Sequence, residues 1–422
     1  MRIIQYCIVS VLISIPLILL NSCYKDSSPS DSLGNAVVKN TVVIGGLFSL
    51  TGNWSTLGKT SYAAMEIAVE DINKFLNDNG KNIIFVVDVK DTVLDPDMAL
   101  EKLMELNDSG VKLVIGPMSS AEVAVIKDFA DDNAILIVSQ SSTAGSLSIA
   151  GDNIFRFVPD DSQEGMAIAT LMNRDGINTV IPVYRNDDGN KGLEIAIRAS
   201  FVSMGGKVAD SIEYGTDTTD FSNVVDELSF RVGLEVERSD TDQVGVYLAG
   251  FDEVVDLFQL AKNEPILSSV RWYGSDGVVF SEALTENTGG SSEFAENVYY
   301  PNPIFGLDQS LETRWGPIAD EIVSRTGDEP DAFALSVYDI AWAIALAYVS
   351  ADEPDNIDSL KTAFVSEANS LMGITSSTEL NAAGDRKTAN FDFWGVRMDG
   401  EAFAWKKIAF YDALSDTITN FE

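Results

Sequence analysis

Short apolar runs alternate with amphipathic stretches along most of this chain. The runs are rich in Val and Ile, as the buried strands of a parallel sheet usually are. In the first third of the chain they predict strands at 42–45, 83–87, 113–115 and 135–138. The stretches between them carry apolar residues at helical spacing and predict helices at 62–75, 96–107 and 121–131. Asp95 precedes Pro96 and is the expected N-cap of the second helix.

The same alternation restarts after residues 155–157. The predicted strands of this second set are 179–184, 207–212, 244–248 and 270–274, and the predicted helices are 190–204, 221–230 and 253–261. We also expect a charged surface loop at 235–242, a long apolar helix at 332–349 and a hairpin at 391–410 around Asp399-Gly400. This order predicts an α/β fold with two doubly wound parallel-sheet lobes, in which the loops at the carboxyl ends of the strands bind ligands.

The N-terminal segment has the pattern of an export signal. Arg2 is followed by an apolar run at 7–20, which is shorter than the roughly 20 apolar residues of a membrane span. We therefore interpret residues 1–22 as a signal peptide. Residues 20–23 (Leu-Asn-Ser-Cys) resemble a lipobox, the bacterial motif cut just before a cysteine that receives lipid. Residues 23–40 then form a flexible tether behind a lipid-modified Cys23; ordinary secretion with a free Cys23 is the alternative.

The net charge of the chain limits the classes of partner that it can bind. The 422 residues include 65 Asp and Glu against 28 Lys and Arg, a formal net charge of −37. The acidic residues are spread along the chain, which indicates a solvated, self-repelling surface. Nucleic-acid binding needs clustered Lys and Arg to neutralise phosphates, so we expect no nucleic-acid partner.

The absence of histidine excludes several kinds of enzyme. Without it there is no Ser-His-Asp or Cys-His triad and no HExxH zinc site. Cys7 and Cys23 are the only cysteines, so the chain after residue 23 has neither a disulfide nor a cysteine–zinc site. We expect no catalytic residues, no metal and no cofactor.

Several blocks of sequence resemble one known family. They are 42–73 (VVIGGLFSLTGNWSTLGKTSYAAMEIAVEDIN), 110–120 (GVKLVIGPMSS), 135–143 (ILIVSQSST), 153–165 (NIFRFVPDDSQEG), 245–253 (GVYLAGFDE), 271–277 (RWYGSDG) and 331–347 (DAFALSVYDIAWAIALA). In this order and spacing the chain is similar to the branched-chain-amino-acid type of periplasmic solute-binding protein, the receptor subunit of ABC importers. The resemblance covers nearly the whole of the chain after the tether.

The resemblance implies a two-lobed fold that closes on a small ligand by a hinge motion, the type I periplasmic-binding fold. Three crossovers would join the lobes, near Phe157, Val298 and Gly373. The two lobes would have these bounds: lobe 1, residues 41–157 and 299–372; lobe 2, residues 158–298 and 373–422.

The resemblance also implies which residues grip the ligand. The family binds an amino acid's carboxylate with hydroxyls and backbone N–H groups of two lobe-1 loops, which match Ser120, Ser141 and Thr143 here. Independently, Ser119-Ser120 precedes the helix expected from Ala121, and a helix N-terminus favours an anion. The alternative is that these serines only cap the helix and shape a turn.

On lobe 2 the family pairs an acidic residue with the ligand's ammonium, and Asp276 matches it; the alternative is a turn residue between glycines. Tyrosines of well-known members fall on Gly189 and Phe251 here. A lobe-1 aromatic residue falls on Leu57, with Trp54 close by. A pocket with Trp54, Leu57 and Phe251 would be apolar, which leaves amino acids, amides and small aromatic acids open as ligands.

These observations predict an extracytoplasmic, lipid-anchored, monomeric binding protein. It would capture an amino acid or a related small ligand and deliver it to the permease and ATPase subunits of an ABC importer. A sensor of the same fold that passes a signal to a partner protein is the alternative. A hydrolase that works with carboxylates is disfavoured, because the sequence has neither histidine nor a nucleophile elbow.

The lipid anchor is directly testable at Cys23. Labelling of cells with a radioactive fatty acid should mark the wild-type protein and leave the Cys23→Ser variant unmarked, because the thiol is the attachment point. Equal labelling of the two proteins would show that Cys23 carries no lipid.

Overall fold

The computed structural model describes residues 39–307, 309–387, 389–413 and 415–421. The predicted signal peptide, Cys23 and all but the last two residues of the predicted tether lie outside these ranges. The described part has fourteen strands and twelve α-helices, joined by short turns of 3₁₀ helix.

The strands are β1 (Asn40–Phe48), β2 (Ile83–Asp91), β3 (Leu113–Ile115), β4 (Leu136–Ser139), β5 (Ile154–Arg156), β6 (Thr179–Arg185), β7 (Lys207–Val208), β8 (Ile212–Tyr214), β9 (Val244–Ala249), β10 (Arg271–Gly274), β11 (Asn302–Phe305), β12 (Phe391–Asp399), β13 (Ala402–Asp412) and β14 (Thr417–Asn420). The helices are α1 (Ser55–Asp78), α2 (Pro96–Asp108), α3 (Ser120–Asp132), α4 (Asp161–Arg174), α5 (Asp188–Ser203), α6 (Ser222–Val236), α7 (Val254–Ala261), α8 (Glu282–Thr285), α9 (Ser291–Asn297), α10 (Glu312–Thr326), α11 (Ala332–Ser350) and α12 (Ile357–Ser370).

The first sheet has five parallel strands in the order β2-β1-β3-β4-β5. Its short central strands are buried on both faces, which explains why they read as continuous apolar runs. Leu113 and Ile115 pack into the core on the side of α1 and α11, whereas Val114 packs with α2 and α3. The predicted helix-covered parallel sheet is therefore confirmed.

The second sheet is also parallel, in the order β10-β9-β6-β7, with β8 paired to β6 beyond β7. Helices α6, α7 and α9 cover one face, and α4 and α5 cover the other. The single strand predicted at 207–212 is wrong, because the chain bends between β7 and β8. At the bend the Arg198 guanidinium donates to the carbonyl of Ala209 and to the hydroxyl of Ser211. Side chains therefore replace part of the strand ladder there.

A third sheet is antiparallel, in the order β11-β12-β13-β14. The hairpin expected around Asp399-Gly400 is confirmed as β12 and β13. The partner strands β11 and β14 were not predicted, because Pro303 interrupts the first and Ile418 is the only apolar residue of the second. The fold class remains α/β with two parallel sheets, and the exact boundaries of the two lobes stay a prediction.

Two helices extend beyond their predicted ends. α1 begins at Ser55 rather than Tyr62, since its first turns are polar and lack the apolar spacing that predicts a helix. A side chain at Gly58 would come within 1.8 Å of the Ser49 carbonyl oxygen, so glycine lets this turn pack against the loop after β1. α6 runs on to Val236, and the Glu235 carboxylate is buried and paired with Lys207. The predicted surface loop at 235–242 therefore begins as helix.

Helix α11 is long and apolar enough to cross a membrane by length and composition, and it is the one described helix that meets this criterion. However, 78% of its most apolar window is buried inside the protein. It packs against α1 and α12 in the main core, with Trp342 against Phe75 at the edge. Helix α11 is therefore the central core helix, as the apolar pattern at 332–349 predicted.

One buried ion pair connects distant parts of the chain. The Nε atom of Arg156, at the end of β5, lies 2.6 Å from the Asp385 Oδ1 atom, and both side chains are at most 2% exposed. The other Asp385 oxygen accepts a hydrogen bond from the Ser148 hydroxyl. Arg156 also donates to the carbonyls of Ser142 and Ala144 in the loop after β4. The pair thus fixes that loop against the segment that leads to β12.

Removal of this pair should cost much more stability than removal of an exposed one. Asp385→Ala leaves the Arg156 charge buried and unpaired, so the free energy of unfolding should fall by about 3–5 kcal/mol. The half-exposed Lys387–Glu379 pair provides the control, and Glu379→Ala should cost less than about 1 kcal/mol. Urea unfolding of the three proteins measures both losses; equal losses would contradict the assignment.

Candidate ligand-binding cleft

A small cavity lies where the carboxyl ends of the two parallel sheets face each other. Its wall is formed by the loops that follow β1, β3 and β4 of the first sheet and β6, β9 and β10 of the second, as expected for open parallel sheets. The residues that line it are Trp54, Ser119, Ser120, Ser141, Thr143, Asp187, Gly189, Asn190, Leu193, Phe251 and Asp276. Seven of the eight residues that the sequence analysis assigned to the ligand are on this wall.

Leu57 is the exception. It lies in α1, is 3% exposed and belongs to the hydrophobic core, not to the cavity wall. The reason is the early start of α1, which places Leu57 on the inner face of the helix. Trp54, at the N-cap position of α1, contributes the aromatic surface instead.

The N-terminus of α3 opens into the cavity. Ser119 is its N-cap: the Ser119 hydroxyl accepts from the Glu122 N–H, and the Glu122 carboxylate accepts from the Ser119 backbone. This capping box makes Ser119 the structural cap and leaves Ser120 as the first helical residue. The positive end of the helix dipole at this position favours an anionic ligand group.

The Glu122 side chain is fully buried beneath this helix end. Burial raises the pKa of Glu122 to about 7, since the hydrogen bonds that favour its charged form compensate only in part. Over much of the physiological pH range the residue is therefore partly protonated, which limits the negative charge beside the helix N-terminus.

The predicted hydroxyl groups hold the two loops of the first sheet together. The Ser120 hydroxyl is 3.0 Å from the Ser142 hydroxyl and accepts a hydrogen bond from the Ala144 N–H. The Ser141 hydroxyl donates to the carbonyl of Met118. A serine oxygen that donates its single proton inside the protein still has a lone pair to accept from a ligand N–H. These bonds fix the geometry of the site before any ligand contact.

Residues at the start of α5 were missed as site residues. Asp187 caps this helix, accepts from Asn190 and forms an ion pair with Arg185 at 2.9 Å. Asn190 and Leu193 line the cavity, and so does Gly189, where an added Cβ would lie 3.8 Å from the Ser120 Cβ. The available signal was their position directly after strand β6, at the carboxyl edge of the second sheet.

Asp276 carries the main electrostatic feature of the cleft. It follows β10, is 6% exposed, and no Lys or Arg is among the residues that line the cavity. Burial raises the pKa of Asp276 to about 8, and the negative charges of Asp161 and Asp331 add to the effect. A cation bound beside Asp276 would relieve this cost by stabilising the carboxylate.

Two further buried acids lie behind Asp276 on α4. Burial raises the pKa of Asp161 to about 7, and Arg156 opposes the shift. Burial also raises the pKa of Glu164, together with the charges of Asp276 and Asp161. The second-sheet side of the cleft is thus an acidic, poorly solvated surface, opposite the hydroxyls and the helix N-terminus of the first-sheet side.

The raised pKa of Glu122 predicts a pH-dependent stability. A carboxyl whose pKa is higher in the folded than in the unfolded state lowers the free energy of unfolding as the pH rises. For Glu122 this loss occurs between the unfolded pKa, near 4.5, and the folded pKa, about 7. Glu122→Gln keeps an acceptor for Ser119 without the charge, so it should raise the free energy of unfolding by about 1–3 kcal/mol at pH 8 and by little at pH 4.5. Denaturant unfolding at both pH values measures this, with the exposed Glu101→Gln as control. A variant less stable than wild type at pH 8 would refute it.

The comparisons with known proteins agree with this architecture. The family described as the receptor family ligand binding region matches residues 60–399. An uncharacterized protein of Methanocaldococcus jannaschii is 31% identical over 398 residues, which cover 90% of this chain and 92% of that protein. The leucine-, isoleucine-, valine-, threonine-, and alanine-binding protein of Pseudomonas aeruginosa is 24% identical over 362 residues, 85% of this chain and 90% of its own.

A solved structure and a shorter relative complete the comparison. The branched-chain amino acid transporter substrate-binding protein LivJ of Streptococcus pneumoniae, in complex with isoleucine, shares the fold with a TM-score of 0.70. It is 21% identical, and the match covers 87% of this chain and 99% of LivJ. The chemotactic signal transduction system substrate-binding protein BasB of Halobacterium salinarum is 30% identical over 142 residues, 32% of this chain and 34% of BasB.

The family match spans most of the chain, and the archaeal relative is similar over nearly its full length. Both agree with two parallel sheets whose carboxyl ends enclose one cavity. The chain therefore belongs to the receptor family ligand binding region, as a type I periplasmic solute-binding protein of the branched-chain amino acid type, a binding protein rather than an enzyme.

Proposed function

We propose that this protein captures a small solute that carries both a carboxylate and an ammonium group, as amino acids do. The observation that carries the proposal is the opposite chemistry of the two cavity walls. The N–H groups at the N-terminus of α3 suit a carboxylate, whereas the Ser141 hydroxyl, whose proton goes to the Met118 carbonyl, can accept from a ligand N–H. The buried Asp276, with no basic residue on the cavity wall, suits an ammonium.

The remaining residues of the cavity wall indicate which ligand side chains the site would accept. Trp54, Phe251 and Leu193 provide apolar surface, and Asn190 adds one amide. The proposed ligand is therefore an amino acid with a small or apolar side chain; amides and small aromatic acids are the competing classes.

Delivery to an ABC importer follows from the kind of protein that shares this fold. We propose that the permease and ATPase subunits of such a transporter are the partners, and that a lipid on Cys23 holds the protein at the outer face of a membrane. The apolar run at 7–20 and the Leu-Asn-Ser-Cys sequence before the polar segment 23–40 support this location.

A sensor is the second candidate function. The similarity to BasB, whose name places it in a chemotactic signal transduction system, supports it over about a third of the chain. The ligand-binding cleft would be the same in both roles. The discriminating measurement is uptake: deletion of the gene should abolish import of the bound solute if the protein serves a transporter, and should leave import intact if it serves a sensor.

A thermal-shift screen with amino acids, amides and small aromatic acids tests the ligand class, because a ligand at 100 times its Kd adds about 2.7 kcal/mol of stability. For a hit with an ammonium group, Asp276→Asn should weaken binding by about 2–5 kcal/mol, since it leaves that cation unpaired in a buried site. Calorimetry measures the loss.

The pH profile and a control variant sharpen this test. Because the pKa of Asp276 is raised to about 8, binding of an ammonium ligand to the wild type should weaken as the pH falls below 8, by at most about tenfold per pH unit. Asp276→Asn should lack this slope, and the exposed Asp256→Asn should behave as wild type. Wild-type affinity in Asp276→Asn would instead favour a ligand without a cation, such as an aromatic acid.

A further inference from the structure

Two hydrogen bonds join the two sides of the cleft at its mouth, outside the cavity wall. The Trp54 backbone N–H, in the loop after β1, donates to the Asp252 Oδ2 atom at 3.2 Å. Next to it, the Asn53 side-chain amide donates to the Glu253 Oε2 atom at 3.3 Å. Asp252 and Glu253 belong to the loop after β9, so each bond connects the first-sheet side to the second-sheet side.

Both carboxylates are held firmly by their own side of the cleft. The Glu253 Oε1 atom accepts from the Tyr214 hydroxyl at 3.0 Å and from the Phe251 backbone N–H at 3.1 Å. Arg185 approaches the other oxygen of Glu253 at 3.4 Å. The Asp252 Oδ1 atom accepts from the Ser281 hydroxyl. These contacts present two fixed acceptors to the loop that carries Asn53 and Trp54.

The same residues place the aromatic part of the cavity wall. Trp54 and Phe251 come from opposite sides, and their ring centroids are 5.0 Å apart. The Arg185 guanidinium lies 5.3 Å from the centroid of the Phe251 ring. Trp54 has a left-handed backbone with φ of 63°, a conformation that costs a non-glycine residue energy and needs outside contacts to hold it. The bond to Asp252 is such a contact.

We propose that Asp252 and Glu253 form an interlobe latch: they position Trp54 and Phe251 as a closed aromatic wall and set how long the cleft stays shut. The presence of a ligand in this inference rests on the proposed function, whereas the latch itself does not. Neither carboxylate lines the cavity, so both act through Trp54 and Phe251 and are positioning residues.

The latch has a distinctive consequence for binding. A contact made only in the closed state shifts the open–closed equilibrium and changes the apparent affinity of every ligand by the same factor. Loss of the latch should therefore speed dissociation and leave the order of ligand preference unchanged. A residue that touches the ligand would change that preference.

A distance measurement on ligand-free protein tests the latch. Cys7 and Cys23 are replaced by serine, and spin labels are attached at Asp128→Cys on α3 and Asn263→Cys after α7. Pulsed electron–electron resonance then gives the fractions of closed and open cleft. In Asp252→Ala, which removes the acceptor of the Trp54 N–H, and in Glu253→Gln, which places an amide N–H against Asn53, the closed fraction relative to the open one should fall about tenfold. The control Asp256→Asn alters an exposed acid on α7 and should keep the wild-type distribution.

Dissociation of L-isoleucine, followed by stopped flow, provides the second measurement. Each latch variant should release this probe about tenfold faster, with unchanged thermal unfolding of the ligand-free protein. The effects of Asn53→Ala and Glu253→Gln on the dissociation rate should be less than additive in the double variant, since both substitutions remove the same hydrogen bond. Latch variants with the wild-type distance distribution, or a wild type without a closed population, would overturn the proposal. If the wild type does not bind L-isoleucine, the branched-chain ligand class fails while the distances still decide the latch.

Discussion

The buried ion pair between Arg156 and Asp385 is the constraint on which the site depends. It joins the end of β5, the loop after β4 and the segment that leads to β12, three stretches far apart in sequence. Separation of these stretches would leave a buried charge without its partner, so the pair favours the arrangement that keeps them together. The loop held in this way carries Ser141 and Thr143, so the geometry of the cavity wall is set by a contact outside it.

Arg386, next to Asp385 in the chain, extends the same buried network toward α11. Its guanidinium lies over the Phe305 ring at 4.3 Å and donates to the Thr375 carbonyl. Thr375 in turn donates to Asp339 of α11. Burial lowers the pKa of Arg386 to about 10, and Asp339 opposes that shift. Arg386 thus ties the core helix α11, through Thr375 and Asp339, to the segment that leads to β12.

The cleft itself follows the opposite rule at Asp276 and Glu164, which have no basic partner in the described part of the chain. Asp276 and Glu164 are buried together, and their charges raise the cost of ionisation. A fold built only for stability would have an amide or an apolar residue at these positions. The cost of ionising these buried acids is offset where the ligand brings a cation into the site. The first-sheet wall follows the complementary logic, since the N–H groups at the N-terminus of α3 are fixed in position to receive an anion.

The sequence by itself determined the α/β class, the order of most elements and seven positions of the cavity wall. The class and the order of elements follow from strand runs, helical spacing and the Asp95 helix cap, which are local properties of the chain, whereas the positions of the cavity wall came from the resemblance to a known family. Only the tertiary structure decided the rest. Leu57 entered the core because a polar first turn extended α1, and α6 extends into 235–242, where Glu235 pairs with Lys207 and Arg238. The latch acids Asp252 and Glu253 depend on contacts with residues about 200 positions away, and no local pattern encodes such contacts.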